Sequence, residues 1–331
     1  MAVQGLTPDD VYPSHETMIA ASTPASGRLR HYGLLRFLGA DAISFLQGQL
    51  SNDMRQLAAG SPLLAAYSSP QGRVLALLRV LPHSTGPVAI LPRELVQPTL
   101  EQLGKFILRA KVRIENAGDA LEVAASHASS DLESRGIAVP ETDRGYAEHN
   151  DIGVARVSRH ADRYWVIGSR ARLAEHGFAD GDADAARAEH DWRLADIRAG
   201  LPQIYAQTRE LFVAQMLNLD LLDGISFSKG CYTGQEIIAR TQHRGRIKRR
   251  LFRLQLPRAA WNIGDALRLD DGRAGRLIEL AQTGEAFESL AVLHAESGEA
   301  EPGATATAAT AATAAKQLPL PYAVYESAHL L

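Results

Sequence analysis

Residues Lys229, Gly230, Cys231, Tyr232, Thr233, Gly234, Gln235 and Glu236 contain the only cysteine in 331 residues. Thiolate is the nucleophilic and metal-binding form of that side chain, so its charge surroundings decide what it can do. Thr233 followed three residues on by Glu236 reads as a helix capping box, which places Cys231 two residues before the cap. A helix start carries roughly half a positive charge, and Lys229 and Arg240 add cations, so the pattern predicts a reactive thiol that these two residues hold ionised. Gly230 and Gly234 suit a loop whose backbone approaches a ligand closely or takes positive φ. The competing reading is a small buried hydrophobe.

The chain carries a net charge of -3 with a pI near 6.4, which argues against bulk electrostatic attraction to nucleic acid or anionic membrane. Residues 229–250 nevertheless hold seven cations and one acid. The run Arg244, Arg246, Lys248, Arg249, Arg250 is open to two readings, a solvated face or a patch contacting phosphate or nucleic acid. His243 could pair with Cys231 only if the chain turned back, and no G-x-S-x-G elbow, Walker loop or G-x-G-x-x-G is present. One cysteine excludes an intrachain disulfide and a paired-thiol metal site, and one thiol cannot hold an iron–sulfur cluster, so no permanently bound metal is expected. The amino-terminal residues lack a secretory pattern and no apolar run reaches about 18 residues, which reads as a soluble cytoplasmic protein with no membrane partner.

At this length, with 46% hydrophobic residues, more than one domain is expected. Residues 1–26, rich in Pro, Ser and Thr, read as an irregular tether. Residues 29–39 read as a strand, Asp41 as the cap of a helix over 42–50, and 63–67 with 74–81 as a hairpin. A strand over 88–91, a helix over 94–108 and a strand over 111–116 complete an α+β layer. A second hairpin (152–159, 163–169) with helices over 170–178 and 184–199 suggests a pseudo-repeat, so 27–245 is taken as one region of two α+β subdomains. Residues 246–331 read as a small antiparallel barrel, with a mobile Ala/Thr loop over 299–317 and a last strand over 321–326.

The segments KGCYTGQEIIAR and RGRIKRRL resemble the signature of the YgfZ family, folate-binding proteins related to the aminomethyltransferase (T-protein) of the glycine cleavage system. GADAISFLQGQLSND, SPQGRV, DWRLADIRAGLPQI and ELFVAQMLNLDLLDGISFSKG resemble the same family in the same order. The resemblance implies two ferredoxin-like α+β layers and a carboxy-terminal antiparallel β-barrel round a central hole that takes tetrahydrofolate. It also implies Tyr32 and Trp192 as flanking aromatics, for which core packing is the alternative. Arg198 falls where the transferase hydrogen-bonds the pterin, and an arginine cannot accept a hydrogen bond. The hairpin turn carries Arg73 where the transferase has carboxylates, the wrong sign for a cationic transition state, so aminomethyl transfer is not expected.

The function implied is a tetrahydrofolate-dependent accessory factor in maturation or repair of iron–sulfur proteins, which would indirectly support tRNA modification. Its partners would be folate, iron–sulfur enzymes including tRNA-thiolating ones, and transiently RNA. Whether it turns over a substrate is left open. The alternatives are a tetrahydrofolate-dependent aminomethyltransferase or demethylase, and an RNA-binding module.

Overall fold

The computed structural model describes residues 23–142, 145–158, 161–178, 181–244, 247–294 and 314–324. The chain runs through β1 (Gly27–Arg28), β2 (Tyr32–Leu38), α1 (Ala42–Gln49), β3 (Leu63–Ser68), β4 (Val74–Leu81), β5 (Val88–Pro92), α2 (Arg93–Gly104) and β6 (Arg113–Asn116). Next come β7 (Glu122–Ser126), α3 (Ser129–Ser134), β8 (Tyr146–His149), β9 (Ile152–Ser158), β10 (Ala161–Gly168), α4 (Arg170–Glu175) and α5 (Asp182–Arg198). A largely irregular stretch leads to α6 (Gln235–Arg244), then β11 (Arg249–Pro257), β12 (Ala266–Arg268), β13 (Ala274–Thr283), β14 (Ala286–His294) and β15 (Lys316–Leu318).

Three five-stranded antiparallel sheets result, ordered β3-β4-β5-β2-β6, β1-β7-β10-β9-β8 and β12-β13-β14-β11-β15. The first two repeat one design: a strand, a helix, a three-stranded meander and a helix, with the opening strand (β2 or β7) paired to the last strand of its meander (β5 or β10). The place beyond the opening strand is filled by β6 in the first unit, but in the second by β1, which precedes both units. That swap binds the amino-terminal end of the described chain into the second sheet and makes the two units interdependent. The architecture is α+β.

Sequence chemistry explains the layering. β4, VLALLRVL, is buried at every position except Arg79, the signature of a strand covered on both faces. Most of its residues join Phe37, Leu46, Ile204, Phe212 and Leu290 in a core shared by the first unit, the stretch after α5 and the third sheet, while the buried apolar residues of β7, β9 and β10 fall in two other clusters. α5 fastens two of the sheets together. Gly27 on β1 packs so tightly against it that a Cβ there would lie 2.8 Å from the Ala188 Cβ, and its other end contacts β13 and β14. Gly200 ends α5 with φ +64, the left-handed stop that glycine supplies cheaply.

Several expectations are corrected. Asp41 makes no side-chain cap on α1; its carboxylate accepts from the Lys111 N–H (2.7 Å) and ties the helix to the loop before β6. Among the described residues the last strand is Lys316–Leu318; of the strand expected over 321–326, residues 321–324 form none, with Leu320 and Tyr322 packed over Gly200, and 325–326 lie outside the described residues. β7, α3 and β8 were not anticipated. The tether expected over 1–26 lies mostly outside the described residues, and residues 23–26 run along α5, where the Ala25 N–H donates to Asp191 (2.8 Å). The Ala/Thr loop lies largely outside the described residues too. Among the described residues no helix is long and apolar enough to cross a membrane.

Candidate functional site

Cys231 stands exposed on the irregular segment that leads into α6. Two locks hold this segment. The first is Lys229, 5% exposed, whose Nζ donates to the carbonyls of Gln47 (2.7 Å), Leu50 (2.6 Å) and Asn52 (2.8 Å). An ammonium has three hydrogens, and all are spent on the carbonyls at the end of α1, where the helix dipole favours a cation. Lys229 therefore anchors the loop and leaves no donor for the thiolate, contrary to the role expected of it. Burial pulls its pKa down to about 8, while the Tyr232 ring lies 4.9 Å away.

The second lock is a pair of glycines. Gly234 has φ +81, and a Cβ there would lie 2.6 Å from the Ser69 carbonyl oxygen. Gly72, in the turn between β3 and β4, has φ +72, and its Cβ would meet the Ile237 Cβ at 2.8 Å. Only two residues without β-carbons let the hairpin turn press against the start of α6. Gly230 needs neither concession: its φ is ordinary and a Cβ would find open space. The expected capping box is not built either. Gln235 Oε1 accepts from the Tyr232 N–H (3.2 Å), the Thr233 hydroxyl turns to Gln49 (3.5 Å), and Glu236 and Arg240 are exposed. The α1 region, the SPQGRV turn and the cysteine motif thus meet in one junction whose outward feature is the thiol.

A cavity of about 300 Å³ opens between the sheets, a volume at the lower end for small-molecule sites. Leu64 of β3, Arg79 of β4, Arg156 of β9, Trp165 of β10, Arg198 of α5 and Tyr322 line it, together with Asp223. Arg79 Nε and Trp165 Nε1 are buried with no hydrogen-bond partner among the described residues. Unpaired buried donors are costly, and a cavity beside them is where a ligand or water would supply acceptors. Burial also lowers the Arg79 pKa. Leu221, Leu222 and Asp223 of the wall precede the cysteine loop in sequence, and both stretches are clamped to one place. The Asn52 amide donates to the Asp223 carbonyl (2.7 Å), and the Asn52 carbonyl accepts from Lys229.

Tyr32 and Trp192, expected beside a folate, are buried at 4% and 0% and do not line the cavity. They pack edgewise on Trp165, with centroids at 5.0 and 4.6 Å, and so support the indole that does. Trp165 was missed because it stands in the alternating strand RYWVIGS, where an aromatic reads as core. Behind it Arg163 pairs with Asp196 and lies 4.2 Å over the Trp192 ring. Glu279 of β13 is buried with Arg193 Nε at 3.3 Å, and the Tyr205 hydroxyl donates to it (2.9 Å). Burial outweighs the Arg193 charge and raises the Glu279 pKa to about 7. Arg198 stands in the wall with its guanidinium turned to Glu288 (2.8 Å), which Arg253 also pairs.

The basic run divides. Arg250 is buried and grips Asp220 through two nitrogens (2.7 and 2.9 Å), so it belongs to the core, not to a patch. Arg249 is half-buried, Lys248 is exposed, Arg244 closes α6, and Arg246 lies outside the described residues. Arg73, in the turn where the transferase has acids, is exposed and donates to the Leu211 carbonyl (2.9 Å). Among the described residues no three His, Cys, Asp or Glu side chains gather as metal ligands.

Two repeated α+β units and a third antiparallel sheet are the fold of the glycine cleavage aminomethyltransferases. Aminomethyltransferase T from Bartonella henselae aligns with a TM-score of 0.59 over 82% of this chain and 78% of its own, at 14% identity. Sequence narrows this to a family. The chain is 31% identical over 274 residues to the tRNA-modifying protein YgfZ of Pectobacterium carotovorum, covering 80% of this chain and 81% of that one. It is 30% identical over 292 residues to the YgfZ of Yersinia pseudotuberculosis, covering 78% and 87%. The chain belongs to the YgfZ family. No protein-family model matches it.

Proposed function

We propose that this protein is a folate-dependent accessory factor that supports tRNA modification through the upkeep of iron–sulfur enzymes, with Cys231 as its reactive group. The observation that carries the reading is the junction of Lys229, Gly72 and Gly234. It fixes an exposed thiol on the loop that follows Leu221, Leu222 and Asp223, which wall a cavity with unfilled donors. A folate is a flat heterocycle with several acceptor atoms and an anionic tail, which suits an indole wall, the Arg79 and Trp165 donors, and an arginine-rich lining. Bound tetrahydrofolate would supply a carrier for one-carbon units. The residues of this chain would hold it: Trp165 against its face, Arg79, Arg156 and Arg198 toward its acceptors. The transferase reading is disfavoured because Arg73 brings a cation to the turn where that chemistry needs carboxylates.

Titrating the protein with tetrahydrofolate and following tryptophan emission tests the binding half. Saturable quenching that Trp165→Phe removes and Arg79→Met weakens about tenfold or more is expected, since a hydrogen bond to a charged group contributes roughly 1.5–3 kcal/mol. Quenching unchanged by either substitution would place the folate elsewhere.

A further inference from the structure

The loop that joins α2 to β6 stands apart from the junction and the cavity. Residues 105–113, KFILRAKVR, hold four cations and no acid, in a chain whose net charge is -3. Lys105, Arg109, Lys111 and Arg113 are all exposed, as are Phe106 at 42% and Leu108 at 88%. Between them Ile107, Ala110 and Val112 pack on the main core, so alternate side chains anchor the loop and the others project. The loop is clamped at its far end. Asp41 accepts from the Lys111 N–H, the Lys111 carbonyl accepts from the Asp41 N–H (3.2 Å), and a Cβ on Gly39 would lie 2.2 Å from that carbonyl oxygen. Leu108 has φ +46, a conformation unfavourable for a branched aliphatic residue, and it presents that side chain to water. The acids beside the loop offset its charge only in part: the Asp41 carboxylate is held on the Lys111 N–H, Glu115 is shared between Arg36 and Arg113 (3.2 Å to the latter), and Lys105 Nζ turns to the neutral Gln102 (3.2 Å).

We propose that this loop is an RNA-contacting surface, in which Lys105, Arg109, Lys111 and Arg113 meet backbone phosphates and Phe106 stacks on an unpaired base. Clustered cations around an exposed aromatic are the chemistry that recognises single-stranded RNA segments. A bilayer surface is less well matched, since two projecting apolar side chains on a turn do not make the amphipathic helix that interfacial binding uses. The inference is independent of the folate reading, because none of these residues lines the cavity or touches the cysteine junction.

The test measures fluorescence anisotropy of the full-length protein with a labelled, unmodified tRNA transcript at several potassium chloride concentrations. Each phosphate contact contributes roughly 0.7–0.9 to the slope of log affinity against log salt, so replacing all four cations with glutamine is expected to lower the slope by about 3. It should also weaken binding at least tenfold. Phe106→Ala is expected to weaken binding by about tenfold with the slope unchanged. All these positions are exposed, and an unaltered melting temperature verifies the fold. A four-fold glutamine variant that binds as the parent does, no binding by the parent, or binding to anionic phosphatidylserine vesicles in place of RNA would overturn the proposal.

Discussion

Gly230 and Gly234 stand four positions apart with Cys231, Tyr232 and Thr233 between them, yet alanine is expected to be costly at one and tolerated at the other. Gly234→Ala places a Cβ at φ +81 and 2.6 Å from the Ser69 carbonyl oxygen. The left-handed conformation alone costs an L-residue roughly 1–2 kcal/mol. The clash is with backbone, so the hairpin turn must also withdraw from α6, bringing the loss to about 2–4 kcal/mol. For a chain of this size that is a fall in melting temperature of roughly 3–6 °C. Gly230→Ala meets nothing within 4 Å and has ordinary φ, so it should stay within about 0.5 kcal/mol of the parent. Denaturant midpoints measure the stabilities, and the rate of thiol modification by an aromatic disulfide reports on the loop. Equal stability of the two variants would refute the glycine lock.

Three further outcomes follow from buried charges. Glu279 has a folded pKa near 7, above its unfolded value, so its contribution is complete below about pH 4.5 and is lost as pH rises through 7. Melting temperatures across pH 4.5–8 should therefore show a loss worth up to about 3 kcal/mol that Glu279→Gln abolishes; a persisting slope would assign it to other groups. Arg250→Met leaves the buried Asp220 carboxylate unpaired and is expected to cost about 3–5 kcal/mol by denaturant titration, and loss of RNA affinity without loss of stability would contradict its structural role. Lys229→Met strips three carbonyls of their donor and should cost about 2–4 kcal/mol by the same titration, with faster proteolysis between α1 and α6. A variant as stable as the parent would show that the anchor is dispensable.

Much of the fold was legible because local patterns and long-range packing agree in the first α+β unit, where the 63–81 hairpin recurs with small shifts of boundary and the helix expected over 94–108 forms but stops at Gly104, leaving 105–108 as loop. The second unit was half-legible. β7, EVAAS, offers mainly small side chains and no strong alternation, and β1 is two residues long, formed only because β7 offers it an edge. At the site the cysteine motif announced itself by composition, but the work of its neighbours did not. Lys229 reads as a cation beside a thiol until α1, 180 residues earlier, brings three carbonyls to it. Arg250 reads as one of a basic run until Asp220 is seen beside it. Trp165 could be found only once Tyr32 and Trp192 were known to stand behind it.

The most direct test of the functional account is complementation of cells lacking their own factor of this family with Cys231→Ala, reading an iron–sulfur enzyme activity and tRNA thiolation. The exposed thiol contributes little to packing, so the variant should accumulate and bind tetrahydrofolate as the parent does while failing to restore either readout. Full restoration at parental protein levels would contradict the role given to Cys231.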